Sequence, residues 1–198
     1  MILVEETAVA TAALPVVQFK EHLRLGTGFS DDAVQDAVLE SFLRAAIAAV
    51  EARTGKMLLS RIFTWSLTDW RHAARQALPV APVVQIQAVI LKDRFDEATP
   101  VDAARYSLAQ DAHRPVLEAV GSCLPVVPPH GGVDIQFEAG YGTVWADVPA
   151  DLAQAVLLLA AHYYQYRAET GLGEGCMPFG VSALLQRYRP VRVGLRAS

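Results

Sequence analysis

Hydrophobic periodicity switches twice along this chain, from a helical repeat to a strand repeat and back, and that order limits the fold more than any other feature. Val34, Val38, Leu39, Phe42, Ala45, Ala46, Ala49 and Val50 recur at helical spacing. Ser30, Asp31 and Asp32 precede them as a cap and as charges suited to the positive end of a helix dipole. Gly55, after Thr54, is the expected stop. Upstream, Pro15 opens a shorter helical pattern with Val16, Phe19 and Leu23 on one face, ended by Gly26-Thr27-Gly28. Asp36, Glu40, Arg44 and Glu51 are expected to face outward.

The repeat shortens to two residues at Phe63, Trp65 and Leu67, the mark of a half-buried strand. Val83–Lys92 and Val133–Ala139 alternate in the same way, and Tyr106–Leu108 and Pro115–Val120 are shorter candidates. Helical spacing returns after Pro149 with Leu152, Val156, Leu159, Tyr163 and Tyr166 on one face. A loop with Gly171, Gly173 and Gly175 follows, then a short helix over Val181–Tyr188 stopped by Pro190. This order predicts an α+β chain: a small helical bundle of two long and two or more short helices, an antiparallel β insertion of four or five strands between the long helices, and an extended C-terminal tail. One domain is expected over 1–189, with helices near 16–55 and 149–188 and a β-rich insertion near 58–142. Residues 190–198 form an arm.

Composition narrows the function classes. Among the 198 residues, 53% are hydrophobic and 19% charged, which suits a chain with a good-sized core. The 17 basic against 21 acidic residues argue against a uniformly basic nucleic-acid binder. No stretch is long enough to span a membrane, and Glu5 and Glu6 interrupt the opening apolar run, so a soluble, cytoplasmic chain without a signal peptide is expected.

No catalytic constellation stands out. His22, His72, His113, His130 and His162 lack metal-ligand spacing, and Cys123 and Cys176 lack a paired cysteine or a nearby base. The glycine loop at 171–175 follows a helix and contains Glu174, the reverse of a phosphate cradle. An enzyme, a metal and a cofactor are therefore not expected. One segment is asymmetric: Arg187, Arg189, Arg192 and Arg196 stand without an acid among them and alternate with Val191, Val193 and Leu195. Such a tail could add a strand to a partner's sheet or touch nucleic-acid phosphate, or be a frayed end with scattered charge.

Four ordered segments carry a resemblance. They are Phe19-Lys20-Glu21-His22-Leu23-Arg24-Leu25; Ser30-Asp31-Asp32-Ala33 leading to Ala49-Val50-Glu51-Ala52-Arg53-Thr54-Gly55-Lys56; Phe137-Glu138-Ala139-Gly140-Tyr141-Gly142 followed by Val148-Pro149-Ala150-Asp151-Leu152; and Gln154-Ala155 through His162-Tyr163-Tyr164 and Arg167-Ala168-Glu169 to Gly180-Val181-Ser182-Ala183-Leu184-Leu185 and Tyr188-Arg189. With them the chain resembles the head–tail connector, or adaptor, proteins of tailed bacteriophages and gene transfer agents, over nearly its whole length. Met177-Pro178-Phe179-Gly180-Val181 and the alanine-rich texture look most like the gene transfer agent members of alphaproteobacteria.

The resemblance implies structural work rather than catalysis. Adaptor subunits form a cyclic ring of roughly twelve copies beneath the portal, each gripping the next head-to-tail. The partners implied are the portal protein, neighbouring copies, a tail-side stopper or terminator protein, and DNA that passes without specific binding; no membrane is involved. The place implied is the bacterial cytoplasm during assembly and then the head–tail junction. Portal binding would fall on Arg187, Tyr188, Arg189, Val191, Arg192, Val193, Leu195 and Arg196. Asp31, Asp32, Asp36 and Glu40 could line the DNA channel, where cationic contacts would add salt-sensitive grip. The competing reading is a DNA-packaging or DNA-binding accessory protein that uses the basic tail.

Overall fold

Alternation over residues 61–67 places Phe63, Trp65 and Leu67 on one side of a strand, and that strand fixes the register of the larger of two sheets. The structure, a computed structural model, describes residues 1–24, 33–167 and 177–189. The expected helix stop at Gly26–Gly28, the caps at Ser30, Asp31 and Asp32, the glycine loop at 171–175, Cys176 and the arm at 190–198 lie outside the described residues.

In chain order the elements are β1 (Ile2–Glu5), α1 (Val16–His22), α2 (Ala33–Thr54), β2 (Arg61–Leu67), β3 (Arg75–Ala77), β4 (Val83–Lys92), β5 (Ala98–Pro100), β6 (Tyr106–Ala109), β7 (Val116–Ala119), β8 (Gly132–Ala139), α3 (Ala150–Gln165) and α4 (Phe179–Leu185), joined in places by single 3-10 turns. They divide between two compact units. One comprises Met1–Val9 and Leu59–Thr143; the other takes Ala10–Leu58 and the described residues from Val144 onward.

The first unit holds both sheets. The larger has the order β1-β2-β8-β4-β5 and the smaller β3-β7-β6, with every pairing antiparallel. In β8, Val133, Ile135 and Phe137 lie opposite Leu67, Trp65 and Phe63 of β2, so one face of the sheet is a continuous apolar surface. The Phe63 and Phe137 rings stack at 5.8 Å. Register shifts at Val83/Gln85 and Ile86/Ala88 bend β4 along the other side of β8. Two glycines let backbones approach at the ends of β8. A Cβ on Gly131 would lie 2.0 Å from the Lys92 carbonyl oxygen. One on Gly140, whose φ is +146°, would lie 2.4 Å from the Ser60 Cα. In the small sheet Leu117 is fully buried beside Gln76, whose side chain accepts from Arg71 N at 2.9 Å and donates to Ala77 O at 3.0 Å. That satisfies a buried amide that would otherwise be costly.

The second unit holds the helices. Helix α2 has 22 residues, about 33 Å at 1.5 Å per residue. It buries Leu39, Leu43, Ala46, Ile47 and Val50. Packed against it, α3 contributes Leu152, Ala155, Val156, Leu159 and Ala160. Phe19 of α1 is fully buried, as are Val181 and Leu185 of α4, and Phe42 meets Tyr164 edge-on at 5.9 Å. The end of α2 is tightly closed. Gly55 takes φ +67° and donates to Glu51 O at 2.8 Å, and the Thr54 hydroxyl donates to Val50 O at 2.7 Å. Glu51, expected outside, is buried instead, and its carboxylate accepts from Leu58 N at 2.8 Å. It satisfies a backbone donor just past the helix.

The expected helical bundle carrying a modest β insertion is overturned. Among the described residues there are eight strands, in two antiparallel sheets, and four helices. Three physical reasons account for the difference. Strand β1 carries no alternation of its own and forms because residues 63–66 offer it a ladder. Strands β3 and β5 have three residues each, too short for a period to show. Two strands of the small sheet, β6 and β7, stand at the expected candidates Tyr106–Leu108 and Pro115–Val120, but their pairing with β3 into a separate sheet is a non-local event that no local pattern encodes.

Candidate assembly surfaces

At the C-terminal end of the described chain, α4 runs into a 3-10 turn over Gln186–Tyr188. Asp151 sits in the first turn of α3, where a carboxylate suits the helix dipole. It also ties down that turn. Tyr188 Oη donates to Asp151 Oδ1 at 2.7 Å, and Arg187 Nε lies 2.8 Å from Asp151 Oδ2. Arg187 Nη2 donates to the Tyr188 oxygen at 2.5 Å, and its guanidinium stands over the Tyr188 ring, 4.7 Å from the centroid. Burial is the first cause of a raised Tyr188 pKa. Of the eight expected portal-binding residues, Arg187 and Tyr188 are thus held in one latch with Asp151, and Arg189 is exposed just beyond it. Val191, Arg192, Val193, Leu195 and Arg196 lie outside the described residues.

The four expected channel carboxylates divide similarly. Asp31 and Asp32 lie outside the described residues. Asp36 and Glu40 stand one turn apart on α2, and each meets a cation. Lys20 of α1 forms an ion pair with Asp36. Glu40 Oε1 accepts from Arg44 Nε at 2.9 Å, from Arg44 Nη2 at 2.7 Å and from the Thr11 hydroxyl at 2.9 Å. The Arg44 hydrogen bonds, helped by Thr11, hold the Glu40 carboxyl below its usual pKa. Both acids are therefore fixed parts of charge-balanced pairs on the helix surface.

Among the described residues, no group of three or more His, Cys, Asp or Glu side chains could hold a metal ion, and no helix is long and apolar enough to cross a membrane. An open groove in the sheet unit is lined by Asp69, Trp70, Cys123, Leu124, Pro128 and His130 among others. Trp70 Nε1 donates to Pro125 O at 2.7 Å and fixes its wall. Cys123 is an exposed free thiol.

The tethering role of Asp151 leaves no mark in the sequence, because its place in a first helical turn already accounts for a carboxylate there. Strand β1 was not expected either. Among the described residues it is an edge of the larger sheet, with Ile2 64% exposed and Val4 46% exposed. The run Met1-Ile2-Leu3-Val4 was the available signal.

No family model matches the chain, and no curated protein matches it. Solved structures do. A chain in the neck of an empty gene transfer agent particle, computed with C6 symmetry, is 53% identical, covers 98% of both chains and has a TM-score of 0.90. A chain in the virion of a native particle is 52% identical over 98% of both, with a TM-score of 0.86. One in the neck of a native particle, computed with C12 symmetry, is 48% identical over 98% of both, with a TM-score of 0.84. Identity at this level over almost the full length of each chain joins this arrangement of sheets and helices to particle structure: the chain belongs to the family of gene transfer agent structural proteins found in the particle neck.

Proposed function

We propose that this chain is a connector subunit at the head–tail junction of a gene transfer agent particle. Copies form a cyclic ring that joins the portal to the tail side and leaves a passage for DNA. The supporting observation is the 53% identity, over 98% of both chains, to a chain in a cyclically symmetric particle neck. The subunit assembles from the bacterial cytoplasm and performs no catalysis.

Portal attachment runs through the C-terminal segment, Arg187 to Arg196. The Asp151 latch favours this reading because it fixes where the segment departs from the helical unit. A passage lined near Asp36 and Glu40 would present balanced pairs to phosphate rather than bare cations, which suits DNA that slides. Electron microscopy of particles made with and without the chain tests the proposal: tailless, DNA-leaking heads are expected in its absence. Normal tailed particles would refute it. Deleting 190–198 should leave a folded protein that no longer joins the portal. Tight duplex-DNA binding by the free protein, falling steeply with salt, would instead favour the accessory DNA-binding reading.

A further inference from the structure

The larger sheet has two edges, and they are built differently. At one edge, β5 has three residues and ends in Pro100, which has no N–H to offer. At the other, β1 presents Met1, Ile2, Leu3 and Val4, which are 73%, 64%, 39% and 46% exposed. This edge is short, four residues, but it carries no Lys, Pro or bulge, and its one charged side chain, Glu5, is drawn onto Arg61 of its own sheet and does not guard the open side. It is also firmly seated on its own sheet. Glu5 pairs with Arg61 at 3.1 Å, Glu6 N donates to Ile62 O at 2.9 Å, and Ile62 N donates to the Thr7 hydroxyl at 3.0 Å.

The Glu6–Ile62 bond sets the phase of the ladder. In an antiparallel pair the bonded positions alternate, so Val4 and Ile2 turn their backbone groups toward β2. Leu3 and Glu5 then turn theirs to the open edge. Leu3 lies on the same face as Trp65, across from it, whereas Ile2 and Val4 join the opposite face with Ser66 and Thr64. Among the described residues no strand pairs with this side, so the edge offers an ordered strand with outward backbone groups at two positions and an apolar side chain on each face.

We propose that the β1 edge receives an extended segment of the neighbouring copy in the ring, as an added strand. The inference rests on the connector reading. A second copy is the favoured occupant because the related chains occupy necks computed with cyclic symmetry, C6 and C12. In a cyclic ring each contact is head-to-tail, so the edge meets a different surface of the next subunit and not its own counterpart. Backbone pairing supplies the attraction, and Ile2, Leu3 and Val4 supply burial and register.

Three measurements on particles and full-length protein test this. A photo-reactive benzoylphenylalanine at Ile2 should give cross-links at multiples of the chain's own mass in assembled particles. Adducts solely to a different particle protein would overturn the choice of occupant. Leu3→Pro removes an outward N–H and leaves the β2 ladder intact, so the free protein should keep its circular dichroism while incorporation into particles falls about tenfold. Val4→Pro removes an inward N–H and should lower the melting temperature of the free chain. In the wild-type protein, the peptide covering residues 2–6 should exchange its outward amides rapidly when free and slowly in particles, whatever the variants do. Unchanged exchange, or normal incorporation of Leu3→Pro, would overturn the edge inference. Absence of the wild-type chain from purified particles would overturn the connector reading instead.

Discussion

The sheet unit and the helical unit bury their apolar side chains by different means. In the helical unit each stripe is local: Leu39, Leu43, Ala46, Ile47 and Val50 belong to one helix and are aligned by its own geometry. In the sheet unit the apolar face exists only after β2 and β8 pair in one register, since Phe63 and Phe137 come from strands far apart in sequence. A helix stripe can lose one member and keep its shape. A sheet face depends on backbones that approach closely at fixed points, and so it tolerates less.

The most severe test of that contrast is Gly140→Ala. Positive φ and a Cβ 2.4 Å from the Ser60 backbone act together. A loss of about 4 kcal/mol or more is expected, read as failure to express folded protein or a collapsed urea midpoint. Next come Phe137→Ala and Leu43→Ala, one in each unit, both buried completely. About 4 kcal/mol is expected for the first and about 3 kcal/mol for the second. Equal losses in urea denaturation would break the comparison. Glu51→Ala removes the acceptor for Leu58 N and should cost about 2 kcal/mol in the same measurement.

The smallest expected effect is Glu40→Gln, about 0.5 kcal/mol at neutral pH, because its pair with Arg44 is partly solvated. The sign with pH is definite. The folded-state pKa lies below the usual value, so the contribution is present above the unfolded pKa and is lost as pH falls through the folded one. Melting curves of wild type and variant should converge in acid and separate again at neutral pH.

The same contrast explains what could be read from the chain. Helix α2 and its stop at Gly55, the strands at 61–67, 83–92 and 132–139, and the helix after Pro149 all carry local periods or breakers, and they appear where those signals stand. The α2 stripe itself is shifted: Val38 and Ala45, expected on it, are exposed, whereas Leu43 and Ile47 are buried with Leu39, Ala46 and Val50. The number of strands and the second sheet did not emerge, because β1, β3 and β5 gain their form from partners rather than from a repeat. Glu51 was misplaced for a related reason. A carboxylate on a helix reads as solvent-facing, and nothing nearby announces the Leu58 amide that draws it inward. On the candidate surface, the arginine-rich end was visible as composition. Its fastening to Asp151 joins residues 37 apart and left no mark in the spacing.

That fastening has a mechanical consequence. A pull on the chain at Arg189 does not first unravel the last turn. It meets the Tyr188 hydroxyl and the Arg187 guanidinium, both anchored on Asp151, and passes into the beginning of α3. Tension is thereby shared with the longer helices α2 and α3, so the terminal segment can bear load while the short α4 stays wound.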